Sequence, residues 1–248
     1  MRQHAAPSLP GCRDFDNMRP MKDLQLKHKI EHATPAFIFL SVIYATLLII
    51  SNVTVVKLVK VGPFLLTAAF FTYPAVYVIS DIMTEIYGYR LSMKAIWANF
   101  AAQALMSAVL AFATWLSGTD NAINDAMKTL FSSTWRIVIG SLAAYWVGDW
   151  MNSAILSKMK VAQKGKWFFL RAMGSSLPAH FVDTTLFNIV AFLGVWTTGD
   201  IVRNALSESS LATVYELALF PVTFLVVKLW KRIEGIDVFD EGISYAPF

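Results

Sequence analysis

Six apolar blocks, at about residues 36–58, 63–87, 93–117, 131–156, 173–196 and 209–230, constrain what this chain can become more than any other feature. A helix rises 1.5 Å per residue, so roughly 20 apolar residues cross a hydrocarbon core of about 30 Å, and every block is long enough. Composition agrees: only 15% of residues are charged, against about 25% in soluble domains. The expected fold class is all-α, a polytopic membrane protein with six transmembrane helices around a central polar cavity. Its transmembrane domain spans 36–232, between a disordered basic tail at 1–35 and a C-terminal tail at 233–248. The first 35 residues carry charges, Pro7, Pro10 and Pro20 but no apolar core. No secretory signal is therefore read there, and Met18 or Met21 offers an alternative start. The Leu9–Cys12 sequence LPGC lacks the apolar run a lipoprotein signal requires, and a lone Cys12 excludes a disulfide within the chain.

Basic residues between the blocks give the orientation. With the N-terminus inside, 16 of the 21 lysines and arginines fall on the cytoplasmic side, leaving Lys57, Lys60, Lys128, Arg136 and Arg203 outside. The positive-inside rule then places both termini in the cytoplasm. The net charge of +4 is mostly this topological signal and calls for no nucleic acid. Two polar loops lie on the outer side, at 117–129 and 197–210, and either can hold a lid or re-entrant segment.

Polar residues inside the blocks form stripes. In the second block Thr67, Phe70, Pro74, Tyr77, Asp81, Glu85 and Gly88 recur every three or four residues, which places them on one helical face. The fourth block repeats the pattern with Ser141, Tyr145, Asp149 and Asn152, and the first with Ser41, Tyr44, Leu48, Ser51 and Asn52. The fifth offers Ser176, His180, Asp183 and Thr184, the sixth Thr213, Glu216 and Phe220. Inserting one Asp near a helix centre costs roughly 2.5–3.5 kcal/mol. Asp81, Glu85, Asp149, Asp183 and Glu216 together cost on the order of 10 kcal/mol, comparable to the stability of a whole domain. A proton, a basic partner or a polar ligand must offset that.

Each acid also has a plainer reading. Asp81 and Glu85 lie near the cytoplasmic end of their helix, where Arg90 or Lys94 can neutralise one of them. Glu216 can pair with Lys57 or Arg136, and Arg136 itself can snorkel, form a structural ion pair or touch a ligand. Asp183, near mid-helix and far from any basic residue of its own block, resists such explanations and is the strongest ligand candidate. His180, with no second His or Cys at ligand spacing, reads as a hydrogen-bonded helix residue rather than a metal ligand. No phosphate loop, His-Glu-x-x-His or Gly-x-Ser-x-Gly motif is present. An intramembrane hydrolase built on Ser141 and His180 is a weak rival, so the chain is expected not to be an enzyme and to need no cofactor or metal.

The sequences ISNVTVVK, YPAVYVISDIMTEIYGYR, RIVIGSLAAYWVGDWMNSAILSKMK, KGKWFFLRAMGSSLPAHFVDT and YELALFPVTFLVVKLWKRIEGIDVFD together resemble the queuosine precursor transporter family, formerly described as a vitamin uptake transporter family. Its most specific pieces are D-x-x-x-E-x-Y-G at residues 81–88 and R-x-x-G-S at residues 171–175. The resemblance implies a multi-pass protein of the bacterial inner membrane that takes up 7-cyano-7-deazaguanine, its aminomethyl relative, or both, for queuosine salvage in tRNA. It also implies similarity to the substrate-binding subunits of energy-coupling vitamin importers, which need an ATPase partner; that alternative and a homodimer stay open. Many members carry Gln then Asp where this chain has Asp149 and Asn152, and other members carry a lysine beside the position of Glu216. A deazaguanine presents a ring N–H and an exocyclic amine side by side, which one carboxylate accepts in bidentate fashion, and a carbonyl that wants a donor. On that chemistry Asp183 and Glu85 are the expected main ligands. Asp81, Asp149, Glu216, Asn52, Asn152 and Arg136 support them, and Tyr44, Tyr77, Tyr145 or Trp146 stack on the ring.

Overall fold

The computed structural model describes residues 32–55, 57–61, 64–131, 135–194 and 197–247, with side chains for all but 58, 60–61, 64–66, 135–138, 192 and 200. The basic tail up to residue 31, with Cys12, Met18 and Met21, and the side chain of Arg136 lie outside the described residues.

Helix α1 covers Pro35–Thr54. Thr34 caps it by accepting from the Phe37 amide at 3.1 Å, and Pro35 opens its first turn. The second apolar block does not form one long helix. An antiparallel hairpin runs across its start, β1 at Leu58–Val61 before the block and β2 at Phe64–Thr67 within it, with Leu58 opposite Thr67. A 3-10 turn at Ala68–Phe71 leads into α2, Tyr73–Tyr87. The sequence Gly62-Pro63 is a turn signal at the edge of the block, which a reading by apolar run length passes over. With 15 residues, α2 is only about 22 Å long, shorter than a bilayer core.

Helix α3 spans Tyr89–Trp115, α4 Asn121–Phe131, α5 Trp135–Ala162, α6 Phe168–Phe192 and α7 Thr198–Glu234. Both polar loops are thus largely helical. Loop 117–129 holds most of α4, and loop 197–210 is the first part of α7. In α4 the exposed Ile123 and Leu130 stand seven residues apart on one face, a spacing that a local helix satisfies as well as a loop does.

Among the described residues, α1, α3 and the Ile201–Glu234 part of α7 are long and apolar enough to cross a membrane. At 28 and 25 residues α5 and α6 also have the length, but Asp149, Lys158, Lys160, Arg171 and Asp183 interrupt their apolar runs. These two helices pack against each other along much of their length, and α2 contacts α1, α3, α5 and α7. Every residue from 80 to 89 is buried. The arrangement is inverted relative to a soluble core: α1, α3 and α7 expose Phe39, Val42, Val109, Phe112, Val222 and Leu225, whereas Asp81, Asp149, Asn152, Ser176 and His180 are enclosed.

The chain beyond α7 does not leave the body. Val238 donates its amide to the Ile86 carbonyl at 3.0 Å. Asp240 Oδ2 accepts from the Tyr89 amide at 2.6 Å and from Ser157 at 2.7 Å, so a residue far along the chain caps α3. Trp97 and Trp150 donate to the carbonyls of Pro247 and Tyr245. At the α2–α3 corner Gly88 has φ +83°, and a Cβ there would lie 2.7 Å from Val238 and 2.9 Å from Asp240. Only glycine fits both the left-handed backbone and the contact.

Candidate functional site

The inward face of α5 carries a ladder of polar contacts, one rung per turn. Ser141 donates to Asn52 Oδ1 at 2.6 Å, and Asn52 donates in turn to Gln103 of α3 at 2.8 Å. Tyr145 shares a hydroxyl contact of 2.8 Å with Tyr44. Asp149 Oδ1 accepts from Ser80 at 2.5 Å. Asn152 donates to Asp81 Oδ1 at 2.7 Å, and Ser176 reaches the other Asp81 oxygen at 3.4 Å. Ser153 accepts from Thr84 at 3.1 Å. From residue 141 to 157 this face runs about 24 Å, most of the depth of a bilayer core.

Beside the ladder, α6 contributes Asp183 and His180, three residues apart on one face. Tyr77 donates to Asp183 Oδ2 at 3.0 Å, and Tyr73 to Tyr77 at 3.3 Å. The Tyr77 and His180 rings lie 4.1 Å apart. His180 Nε2 and Glu216 Oε1, from α6 and α7, are 3.0 Å apart. Gly148 allows the three helices to meet: a Cβ there would stand 2.6 Å from the Tyr77 hydroxyl and 2.8 Å from Asp183 Cβ.

Asp81, Asp149, Asp183 and Glu216 are each 5% exposed or less. Among the described residues none of the four has a lysine or arginine within ion-pair distance. Asp149 Oδ2, Glu216 Oε2 and His180 Nδ1 are buried with no hydrogen-bond partner among the described residues. Such acceptors hold spare capacity for a donor-rich guest or for protons.

Glu85 stands apart from these four. Its Oε1 is 2.8 Å from Arg171 and 2.6 Å from Lys231, with Lys160 at 3.9 Å. Lys160 also bonds the Glu85 carbonyl, Asp237 at 2.6 Å and the Val238 carbonyl at 2.7 Å, and Lys231 lies 2.7 Å from Asp237. Arg171 further donates to the Lys166 carbonyl. Five charged side chains thus tie α2, α5, α6, α7 and the C-terminal segment together at one end of the ladder. Burial would raise the Asp237 carboxyl, but Lys160 and Lys231, by charge and hydrogen bonding, outweigh it and hold it below the usual range.

The structure therefore brings Asp81, Asp149 and Asn152 into one ladder with Asp183 and Glu216 alongside, and sets Asn52 on the ladder's far rung. It corrects the expected ion pairs. Glu85 is neutralised by Arg171 and Lys231, not by Arg90 or Lys94; Glu216 meets His180 rather than Lys57, and a pairing with Arg136 lies outside the described residues. From the sequence Lys160 and Lys231 count only toward orientation and Arg171 also toward the R-x-x-G-S piece, and none is read as a partner of Glu85, because periodicity within one helix says nothing about partners on another. Ser80 and Gly148 went unnoticed as well, although each directly precedes an acid. The described residues contain no group of three or more His, Cys, Asp or Glu suited to a metal.

A family model described as "Putative vitamin uptake transporter" matches residues 67–226, more than half of the chain. A "Probable queuosine precursor transporter" of Bacillus subtilis (strain 168) is 26% identical over 148 residues, which cover 59% of this chain and 65% of that protein. The chain thus matches just under two thirds of that relative's length. No solved structure matches. The matched stretch holds Asp81, Glu85, Asp149, Asn152, Asp183 and Glu216, but neither Asn52 nor the Lys231–Asp237 pair.

Proposed function

The chain belongs to the family described as "Putative vitamin uptake transporter", and from that premise we propose that it is a membrane carrier for queuosine precursors, 7-cyano-7-deazaguanine, its aminomethyl relative, or both. The observation that carries the reading is the enclosed set of Asp81, Asp149, Asp183 and Glu216, four carboxyls that among the described residues are held by neutral donors and by His180 rather than by lysine or arginine. Burying four acids without cations is costly in a bilayer. A guest rich in N–H donors offsets that cost where an apolar guest cannot.

In this reading Asp183 is the main ligand, accepting the ring N–H and exocyclic amine once Tyr77 swings aside. Asp81 and Asp149 complete the acceptor set, with Asn152 and Asn52 supplying donors to the carbonyl and Glu216 in support. Glu85 takes part from within its ion cluster, with Oε2 as its one oxygen lacking a partner among the described residues. Tyr77 and Tyr145 provide ring faces for stacking. The chain crosses the bacterial inner membrane six times with both termini inside. Clustering of Lys160, Arg171 and Lys231 at one end of the ladder supports that orientation.

Expression in a host that depends on salvage tests the proposal directly. The wild-type chain is expected to restore queuosine in tRNA, and Asp183→Asn, inserted at normal levels, to lower precursor uptake at least tenfold. A wild type that restores nothing refutes the substrate; an Asp183→Asn variant with full uptake refutes the role of Asp183.

A further inference from the structure

The His180–Glu216 contact does work that substrate binding alone does not require. His180 is fully enclosed, Glu216 is 3% exposed, and the two come from different helices. The charged and titratable groups near them are Tyr73, Tyr77 and Asp81 on α2, Asp183 on α6 and Glu208 on α7, with Tyr145 and Asp149 of α5 beyond, against Tyr77 and Ser80. None is a cation. An ionised carboxylate only accepts, so Nε2 carries the hydrogen toward Glu216, and Nδ1 keeps an open lone pair. Nδ1 is buried and has no partner among the described residues.

We propose that His180 and Glu216 form a proton-binding site that couples the carrier to an inward proton gradient, with His180 Nδ1 as the atom that takes the proton. This rests on the transport reading above. One N–H bond forms at Nδ1, no other bond changes, and the pair passes from net charge −1 to zero. A neutral pair crosses a low-dielectric interior far more readily than a charged one. The substrate-bound carrier therefore reorients when the pair is neutral and is held back when the pair is charged, and the empty carrier, in which Tyr77 again bonds Asp183, returns without the proton and closes the cycle. Substrate is sensed through Tyr77: its hydroxyl bonds Asp183, the proposed ligand, while its ring lies against the imidazole. A guest that displaces Tyr77 from Asp183 shifts the surface on which His180 rests, so proton and substrate occupancy become linked.

Purified full-length protein in vesicles, with the membrane potential clamped to zero, tests the coupling with 7-cyano-7-deazaguanine as probe. At one proton per neutral substrate, each unit of inward pH gradient is expected to raise accumulation about tenfold. Substrate added outside should acidify a lightly buffered lumen. His180→Gln should lose both responses. Wild-type uptake that ignores the gradient, or a His180→Gln variant that follows it like wild type, overturns the proposal while leaving the substrate reading intact.

If the wild type moves no substrate, the substrate reading fails and a second measurement decides the proton site. Nitrogen NMR of histidine-labelled protein in nanodiscs, assigned by loss of the signal in His180→Gln, should show a ring that gains a proton as bulk pH falls. That titration should shift in Glu216→Gln. A ring that keeps one protonation state across the pH range in which the protein stays folded marks a structural hydrogen bond only and refutes the site.

Discussion

Gly148 shows how one missing methyl group sets the geometry of the ladder. A Cβ at this position would stand 2.6 Å from the Tyr77 hydroxyl and 2.8 Å from Asp183 Cβ, closer than nonbonded atoms tolerate. Gly148→Ala is therefore expected to overpack the junction of α2, α5 and α6, lower stability by about 1–3 kcal/mol, and break the Tyr77–Asp183 bond. Thermal unfolding in detergent together with an uptake assay checks both effects, and a variant with unchanged stability and uptake would contradict the assigned contact. Arg171 makes a second single-residue case. Removing one partner of a buried ion pair leaves the other uncompensated, at roughly 3–5 kcal/mol, though Lys231 still holds Glu85 and keeps the loss at the low end. Arg171→Gln should destabilise by about 3 kcal/mol, and adding Glu85→Gln should recover part of it. A double-mutant cycle reads that coupling, and strict additivity would deny it.

Among the elements, the segment after α7 contributes more than its position in the sequence suggests. It caps α3 through Asp240, closes the end of α2 through Val238 and supplies Asp237 to Lys160 and Lys231. The sequence reading marked 233–248 as a tail, since the segment has no helical period and, Lys231 apart, its partners lie some 80 to 150 residues away. The hairpin and the helical polar loops were hidden otherwise: both are local, and apolar run length and loop polarity say nothing of the structure they adopt. What stayed legible was local: the long apolar runs, and the faces on which Asp81, Asp149 and Asp183 lie, because spacing within one helix fixes a shared direction. The pH response of the segment follows from Asp237, whose folded-state pKa is depressed. A depressed carboxyl stabilises the fold fully above its unfolded value of about 3.9, and the contribution disappears as pH falls through the folded value. Protection of the 236–247 amides from hydrogen exchange, taken relative to the intrinsic rate at each pH, should thus fall below about pH 4 in the wild type, and Asp237→Asn should be less protected at neutral pH with little further change on acidification. An unaltered acid response in that variant would assign the loss to another group.

For the molecule as a whole, the inverted distribution of polarity makes a claim that position along one helix can test. Leu225 and Ile233 of α7 are both well exposed, at 63% and 70%, yet only the first lies in the apolar interior of the expected span. Leu225→Arg should meet an insertion penalty of roughly 2.5–3.5 kcal/mol, whereas an arginine at 233 reaches the headgroups by snorkelling and costs little. Yield in the membrane fraction separates the two, and equal yields would argue against α7 as a span. The Asp240 cap carries a consequence for how the protein is made. The residues that finish the corner between α2 and α3 are synthesised only after all seven helices, so Gly88 and the Tyr89 amide must wait, uncovered, while the rest of the bundle is threaded into lipid. Closure of that corner is a late act of biogenesis, and a ribosome stalled within α7 leaves behind a bundle whose earliest joint has never been fastened.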